Sequence, residues 1–339
     1  MRASLSLIAS LSLLVAAPAL AQQINDPNFH PKVADPAWTA GTGPVVAVDQ
    51  AHNNFHTLGT GYKPFGELLT ADGYRPRPST LPFDAPDALK GVDILVVVNA
   101  RGKANPAAPA FTDSEIAVLG NWVENGGALL LIADHAPFGA AAEALANRFG
   151  VDMGKGFVVE PPYNMERSPA FLDFSGKELG AHAILTGRSP AEAIHMVKTY
   201  TGQSLAGPSG STGLLDLPDV ALEVADFPAI KALREGQKVP GIAVGGRSQA
   251  LAMPYGKGRL VVAGDAAFFT AQVIMAKGVP MLVFGMNAPG SDDQQFVLNT
   301  AHWLSRLLDA NKVEVPTPVT APPPVPAPEP TPAPTPPAP

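Results

Sequence analysis

Along the chain, short unbroken apolar runs alternate with stretches in which apolar residues recur every three or four positions. Val45–Val48 is such a run and closes on Asp49; Asp93–Asn99 (DILVVVN) and Ala128–Ala133 (ALLLIA) are built the same way. Runs this short and this apolar predict strands buried on both faces. Between them, residues 62–72 (YKPFGELLTAD) predict a helix, with Pro64 tolerated in its first turn and Gly73 closing it. Thr112 with Glu115 three residues on is a capping box that opens a second helix, whose Ile116, Leu119, Trp122 and Val123 share a face and which stops at Gly126-Gly127. Further helices are expected at 139–149 and at 293–308, the latter with Phe296, Leu298, Ala301, Leu304 and Leu308 available to pack. Gln249–Pro254 and Arg259–Gly264, joined by Tyr255-Gly256-Lys257-Gly258, predict a hairpin.

Strands alternating with helices imply an α/β body with a mostly parallel sheet covered on both faces, to which the C-terminal hairpin adds an antiparallel element. In such sheets ligands bind beyond the carboxyl ends of the strands. The pattern dissolves between 151 and 235, rich in Gly, Pro and Ser, where loops and short strands are expected as an insertion over one sheet edge. Residues 22–43 are expected to be an irregular leader and 44–312 the body. The tail at 313–339, nearly all Pro, Ala, Thr and Val, can bury no core and favours polyproline II. At the other end, Arg2, the apolar stretch 4–17 and Ala19-Leu20-Ala21 predict a cleavable signal peptide over 1–21 and a mature chain starting at Gln22. The expected location is periplasmic or secreted, with no membrane span after cleavage.

Candidate chemistry collects at the strand ends. The first strand runs into Asp49-Gln50-Ala51-His52-Asn53-Asn54-Phe55-His56, the second into Asn99 and Arg101, the third into Asp134-His135, and the last into Gly264-Asp265. Three of the chain's seven histidines lie in this set. Asp49, His52, His56, His135 and Asp265 are a donor set suited to one divalent ion, zinc or manganese, that could activate water. A metal-free site is the alternative, with Asp134, His135 and His52 handling protons and Asn53, Asn99 and Arg101 contacting a ligand. A purely structural rim is the third reading, with Asp134 capping the next helix.

The absence of cysteine excludes a thiolate nucleophile and disulfides, and a net charge of −7 gives no footprint for nucleic acid. Gly59-Thr60-Gly61 lacks the Lys-Ser/Thr of a P-loop, and the Ser-containing loop 207–213 lacks a strand–elbow–helix setting. Trp122 and Trp303 are expected in the core; Tyr163, Asn164, Glu166 and Arg167 are expected in a solvated loop.

The order of several segments resembles the class I glutamine amidotransferase-like superfamily. They are VVAVDQAHNN, FTDSEIAVLGNWVENGGALLLIADHAPFG, HAILTGR with TYTGQSL, GKGRLVVAGDAAFF and QQFVLNTAHWL, which together span nearly the whole body. The match is to a bacterial branch without assigned activity, similar to the N-terminal region of intraflagellar transport protein 52 and to gliding-motility ABC-transporter auxiliary domains. The resemblance implies a flavodoxin-like three-layer α/β/α sandwich. It does not imply amidotransferase chemistry, because Asp134-His135 stands on the turn where catalytic relatives carry the nucleophilic Cys. Two functions follow as expectations: an exported hydrolase acting at the Asp/His rim on an unidentified substrate, or a non-catalytic domain gripping a small polar ligand or an envelope component.

Overall fold

The computed structural model describes residues 22–160 and 171–310. The expected signal peptide, the Pro-rich tail and Tyr163, Asn164, Glu166 and Arg167 lie outside the described residues. In the first half, the elements are β1 (Gln22–Asn25), β2 (Val45–Asp49), α1 (Lys63–Ala71), β3 (Arg75–Ser79), β4 (Ile94–Val98), α2 (Asp113–Glu124), β5 (Ala128–Ile132), α3 (Phe138–Arg148), β6 (Asp152–Met153) and β7 (Phe157–Val159). The second half adds β8 (Phe171–Ser175), α4 (Ala183–Thr186), β9 (Met196–Tyr200), β10 (Leu205–Ala206), β11 (Thr212–Asp216), β12 (Leu222–Val224), α5 (Phe227–Arg234), β13 (Ile242–Ala243), β14 (Ser248–Tyr255), β15 (Gly258–Ala263), β16 (Ala271–Ala276), β17 (Val279–Gly285) and α6 (Asp293–Leu304).

The largest sheet has nine strands, ordered β3-β2-β4-β5-β15-β14-β10-β6, with β11 also on β14. Strands β3 through β15 in that order are parallel, and the remainder antiparallel. Successive residues of the parallel strands face opposite sides, as the pleat requires. Val46, Val48, Val96, Leu130 and Ile132 pack with Phe65 and Leu68 of α1 and Phe296 and Leu304 of α6. Ala47, Leu95, Val97, Leu129 and Leu131 pack on the opposite side with Leu119 and Val123 of α2 and Leu145 and Ala146 of α3. The expected capping box is present: Thr112 Oγ1 accepts the Glu115 N–H, and Glu115 accepts the Thr112 N–H.

Several expectations change. The predicted hairpin (β14–β15) lies inside the large sheet, because β14 continues it through β10 and β11. Part of the 151–235 region joins that sheet as β6, β10 and β11, while β7 and β12 with β13 form a separate sheet. Edge strand β3 reads RPRPS; its prolines lack donors and are tolerated because it pairs only with β2. The leader is not irregular throughout: β1 pairs antiparallel with β16, and β16 with β17, in a sheet the sequence pattern did not reveal. The rest of the leader is fastened too, for Asp72 at the end of α1 accepts the Ala37 N–H at 2.7 Å and His302 Nε2 of α6 at 2.7 Å. No helix among the described residues is long and apolar enough to cross a membrane.

Candidate functional site

The residues following β2 form a closed polar knot. His52 Nδ1 lies 2.9 Å from both carboxyl oxygens of Asp49, and Nε2 lies 2.7 Å from Glu115 Oε1. Both neighbours are acceptors, so both ring nitrogens donate and the ring is held as imidazolium. Burial alone would lower the His52 pKa; the hydrogen bonds and charges of Asp49 and Glu115 outweigh it and raise it above 6.5. Burial likewise pushes Glu115 up, but the Thr112 and His52 contacts bring it below its usual range. Phe83 and Phe111 flank the imidazole at 4.4 and 4.8 Å between ring centres, sealing the pair from water. Asn54 closes the loop, donating to Asp49 and to the Val98 carbonyl at 3.0 Å each.

Beside the knot, a cleft of about 810 Å³ opens at the carboxyl ends of β4 and β5. Its polar wall carries His56, Asn99, Arg101, Asp134, His135 and Thr201, and its apolar wall Phe55, Phe138, Phe227 and Phe284. Gln23, Ile24 and Asn25 of β1 and Gln272 of β16 complete it. Three residues around it have positive φ: Asn53 (50°), Asn99 (45°) and Thr201 (61°). Asn tolerates that region; β-branched Thr does not, so the Tyr200–Gly202 turn holds strain at the cleft wall.

Burial alone lowers His56 to about 4, so it is neutral at physiological pH. Its ring packs on Tyr62 at 5.2 Å, and a Cβ on Gly61 would collide with it. His135 Nδ1 lies 2.7 Å from the Ala136 carbonyl and must donate to it, which leaves Nε2 as the ring nitrogen available to the cleft. The ring stacks on Phe157 at 4.3 Å. Asp134 accepts the His135 N–H at 2.7 Å, and its own N–H goes to Asn99 Oδ1 at 2.9 Å. Burial raises the Asp134 pKa. Asp265, fully buried behind it, is raised further, by burial and by the charge of Asp134, although it accepts the Tyr200 and Ala267 N–H groups at 2.7 Å each.

The residues predicted to act together are thus divided. Asn99, Arg101, Asp134, His135 and His56 meet at the cleft. Asp49 and His52 are consumed in the knot, Asp265 is walled off, and Asn53 supports Arg101 by accepting its Nε at 2.8 Å on the backbone oxygen. Among the described residues no group of three or more His, Asp or Glu is arranged to hold a metal ion. Sequence reasoning placed Glu115 only as a helix cap and did not anticipate Tyr200, Thr201, Phe227 or the β1 wall. The Thr201-Gly202 step was the available signal for a turn in that wall.

No protein-family model matches the chain, and no curated protein matches it in sequence. The fold does have solved counterparts. The mmIFT52 N-terminal domain aligns with a TM-score of 0.53 at 15% identity, over 77% of this chain and 97% of that one. A ThuA-like protein from Bacteroides uniformis aligns at 0.38 and 12% identity over 80% and 93% of the two chains. Cytoplasmic protein STM1381 from Salmonella typhimurium LT2 aligns at 0.42 and 14% identity over 79% and 99%. At such identities the likeness is one of fold, and the first alignment carries it.

Proposed function

We propose that this chain is an exported, amidotransferase-like α/β domain that binds a small polar ligand in the strand-end cleft. The observation that carries the reading is the cleft's composition: Asn99, Arg101, Asp134, His56 and His135 on one wall, with phenylalanines opposite. Concave sites of this size, apolar with a few convergent polar groups, are the usual form of small-molecule sites. The order β3-β2-β4-β5-β15, with helices against both faces, supports a flavodoxin-like three-layer reading in which the strand order reverses at β2. Export rests on residues 1–21 and gives a periplasmic or secreted location.

The test is a ligand screen by histidine side-chain NMR, with hexoses, uronic acids, amino acids and organic acids. A ligand of the cleft moves the His56 and His135 resonances and leaves His52 and His302 in place. If every binder moved His302 or none moved His56 and His135, the reading would be lost.

Hydrolysis is the second reading, favoured by one observation: Asp134, whose pKa is raised, adjoins His135 with its free Nε2. His135 would take a proton from an attacking water as the new C–O bond forms, and Asp134 would protonate the departing alcohol as the ester bond breaks. Loss of p-nitrophenyl ester turnover in both Asp134→Asn and His135→Gln would support it; equal turnover in wild type and variants would end it.

A further inference from the structure

Three donor features converge on the cleft, and none of them meets a full charged or hydrogen-bonding complement among the described residues. Arg101 lines it and forms no ion pair there: its Nε and Nη2 rest on Asn53, at 2.8 and 3.3 Å, and the guanidinium lies 5.6 Å over Phe55. Asn99 is 1% exposed, and its amide Nδ2 makes no well-formed hydrogen bond, although the side chain lies near enough to Asp134 to draw that carboxyl's pKa down. A buried amide donor left unpaired is costly and calls for an acceptor. Helix α3 begins at the cleft wall with Phe138, after Pro137, and has no side-chain cap, so its first-turn N–H groups and dipole end face the cleft without a capping side chain.

Resting on the cleft reading above, we propose that the ligand carries a carboxylate, held by Arg101, the Asn99 amide and the α3 N-terminus, with its apolar or ring portion against Phe55 and Phe227. The surrounding groups agree. Asp134 is the one carboxyl among the cleft-lining residues, and its raised pKa reduces the like charge facing an incoming anion. His56 is neutral there, and His135 and Tyr200 complete the titratable lining. One guanidinium matches a monoanion; a phosphate dianion would be under-compensated.

The experiment is calorimetry on the full chain with matched pairs: phenylacetate against phenylacetamide, glucuronate against glucose, and phenyl phosphate beside them. Each carboxylate should bind about tenfold or more tighter than its neutral mate, as expected for a charge-assisted contact. Arg101→Gln should collapse the acid-to-neutral ratio to about one. Because Arg101 also holds the Asn53 loop, the wild-type acid-to-neutral ratio is read first and decides alone if the variant does not fold. A ratio near one overturns the carboxylate assignment. If the neutral mates still move His56 and His135, the cleft reading survives that result. Phenyl phosphate binding tighter than phenylacetate also overturns the assignment, in favour of a phosphate ester. If no member of the panel binds, the proposal falls, and the histidine screen judges the cleft separately.

Discussion

The knot around His52 and the cleft beside it are made of the same residue types and differ in what surrounds each group. In the knot, both ring nitrogens of His52 have a carboxyl partner and two phenylalanines exclude water. In the cleft, His56 has burial without a charged partner, and Asn99 keeps an unpaired donor. Burial with partners raises the pKa of one histidine, and burial without them lowers that of the other, four residues away. The knot is therefore an anchor that shapes the loop, and the cleft is where unmet bonding capacity faces outward.

The sharpest way to break this contrast is Glu115→Ala. It removes one carboxyl from His52, the acceptor for the Phe83 N–H and half of the capping box. Breaking one side of a buried charged pair costs about 3–5 kcal/mol. Urea melts check it, and a loss below about 1 kcal/mol would mean that His52 is not held as a cation.

Next is pH. His52 has a raised folded pKa, so its stabilisation is complete below 6.5 and is lost as pH climbs through that raised value. Glu115, with a lowered pKa, contributes fully above 4.5 and loses its contribution as pH falls through the folded value. His56 has the reverse sign to His52: its folded value of about 4 lies below the ordinary 6.5, so the unfolded chain binds more protons between them and stability falls on acidification. Taking pH 7.5 to pH 5, the His56 contribution amounts to about 2 kcal/mol. His56→Gln should remove that part of the acid limb in pH-dependent melts, and an unchanged limb would mean that His56 is not buried neutral. Smaller again is Thr112→Ala, which keeps the Glu115–His52 contact but removes the reciprocal cap. A loss of about 1 kcal/mol in the same melts would separate capping from charge pairing.

Legibility in the sequence followed the same division. The parallel strands, α1, α2, α3 and α6 were readable because each has a clean apolar period and, for α2, an explicit cap. Strand β3 was hidden by its prolines, β1 by its polar QQIN, and β16–β17 by an apolar stretch without alternation. At the site, the strand-end polar residues were read as one group, and the fold divides them between the knot and the cleft. Their partition was not readable, because it depends on Glu115 reaching across from α2 and on Phe83 and Phe111 closing over His52. Those are contacts between elements far apart in the chain, for which local spacing holds no signal.

The smallest stability effect is the most discriminating for the cleft. Phe55 is 56% exposed, packs 5.9 Å from Phe138 and carries the Arg101 guanidinium over its ring. A half-exposed ring with one cation–π contact contributes little to folding, so Phe55→Ala should cost about 0.5–1 kcal/mol in urea melts. Ligand affinity should fall by more than that, since the ring both faces the cleft and backs Arg101. The knot predicts the opposite ratio: Glu115→Ala should destabilise strongly, and in the fraction that stays folded the cleft should keep its affinity. If Phe55→Ala proved as destabilising as Glu115→Ala while binding was unchanged, Phe55 would be part of the anchor, and the line drawn between the two regions would have to move outward to include it.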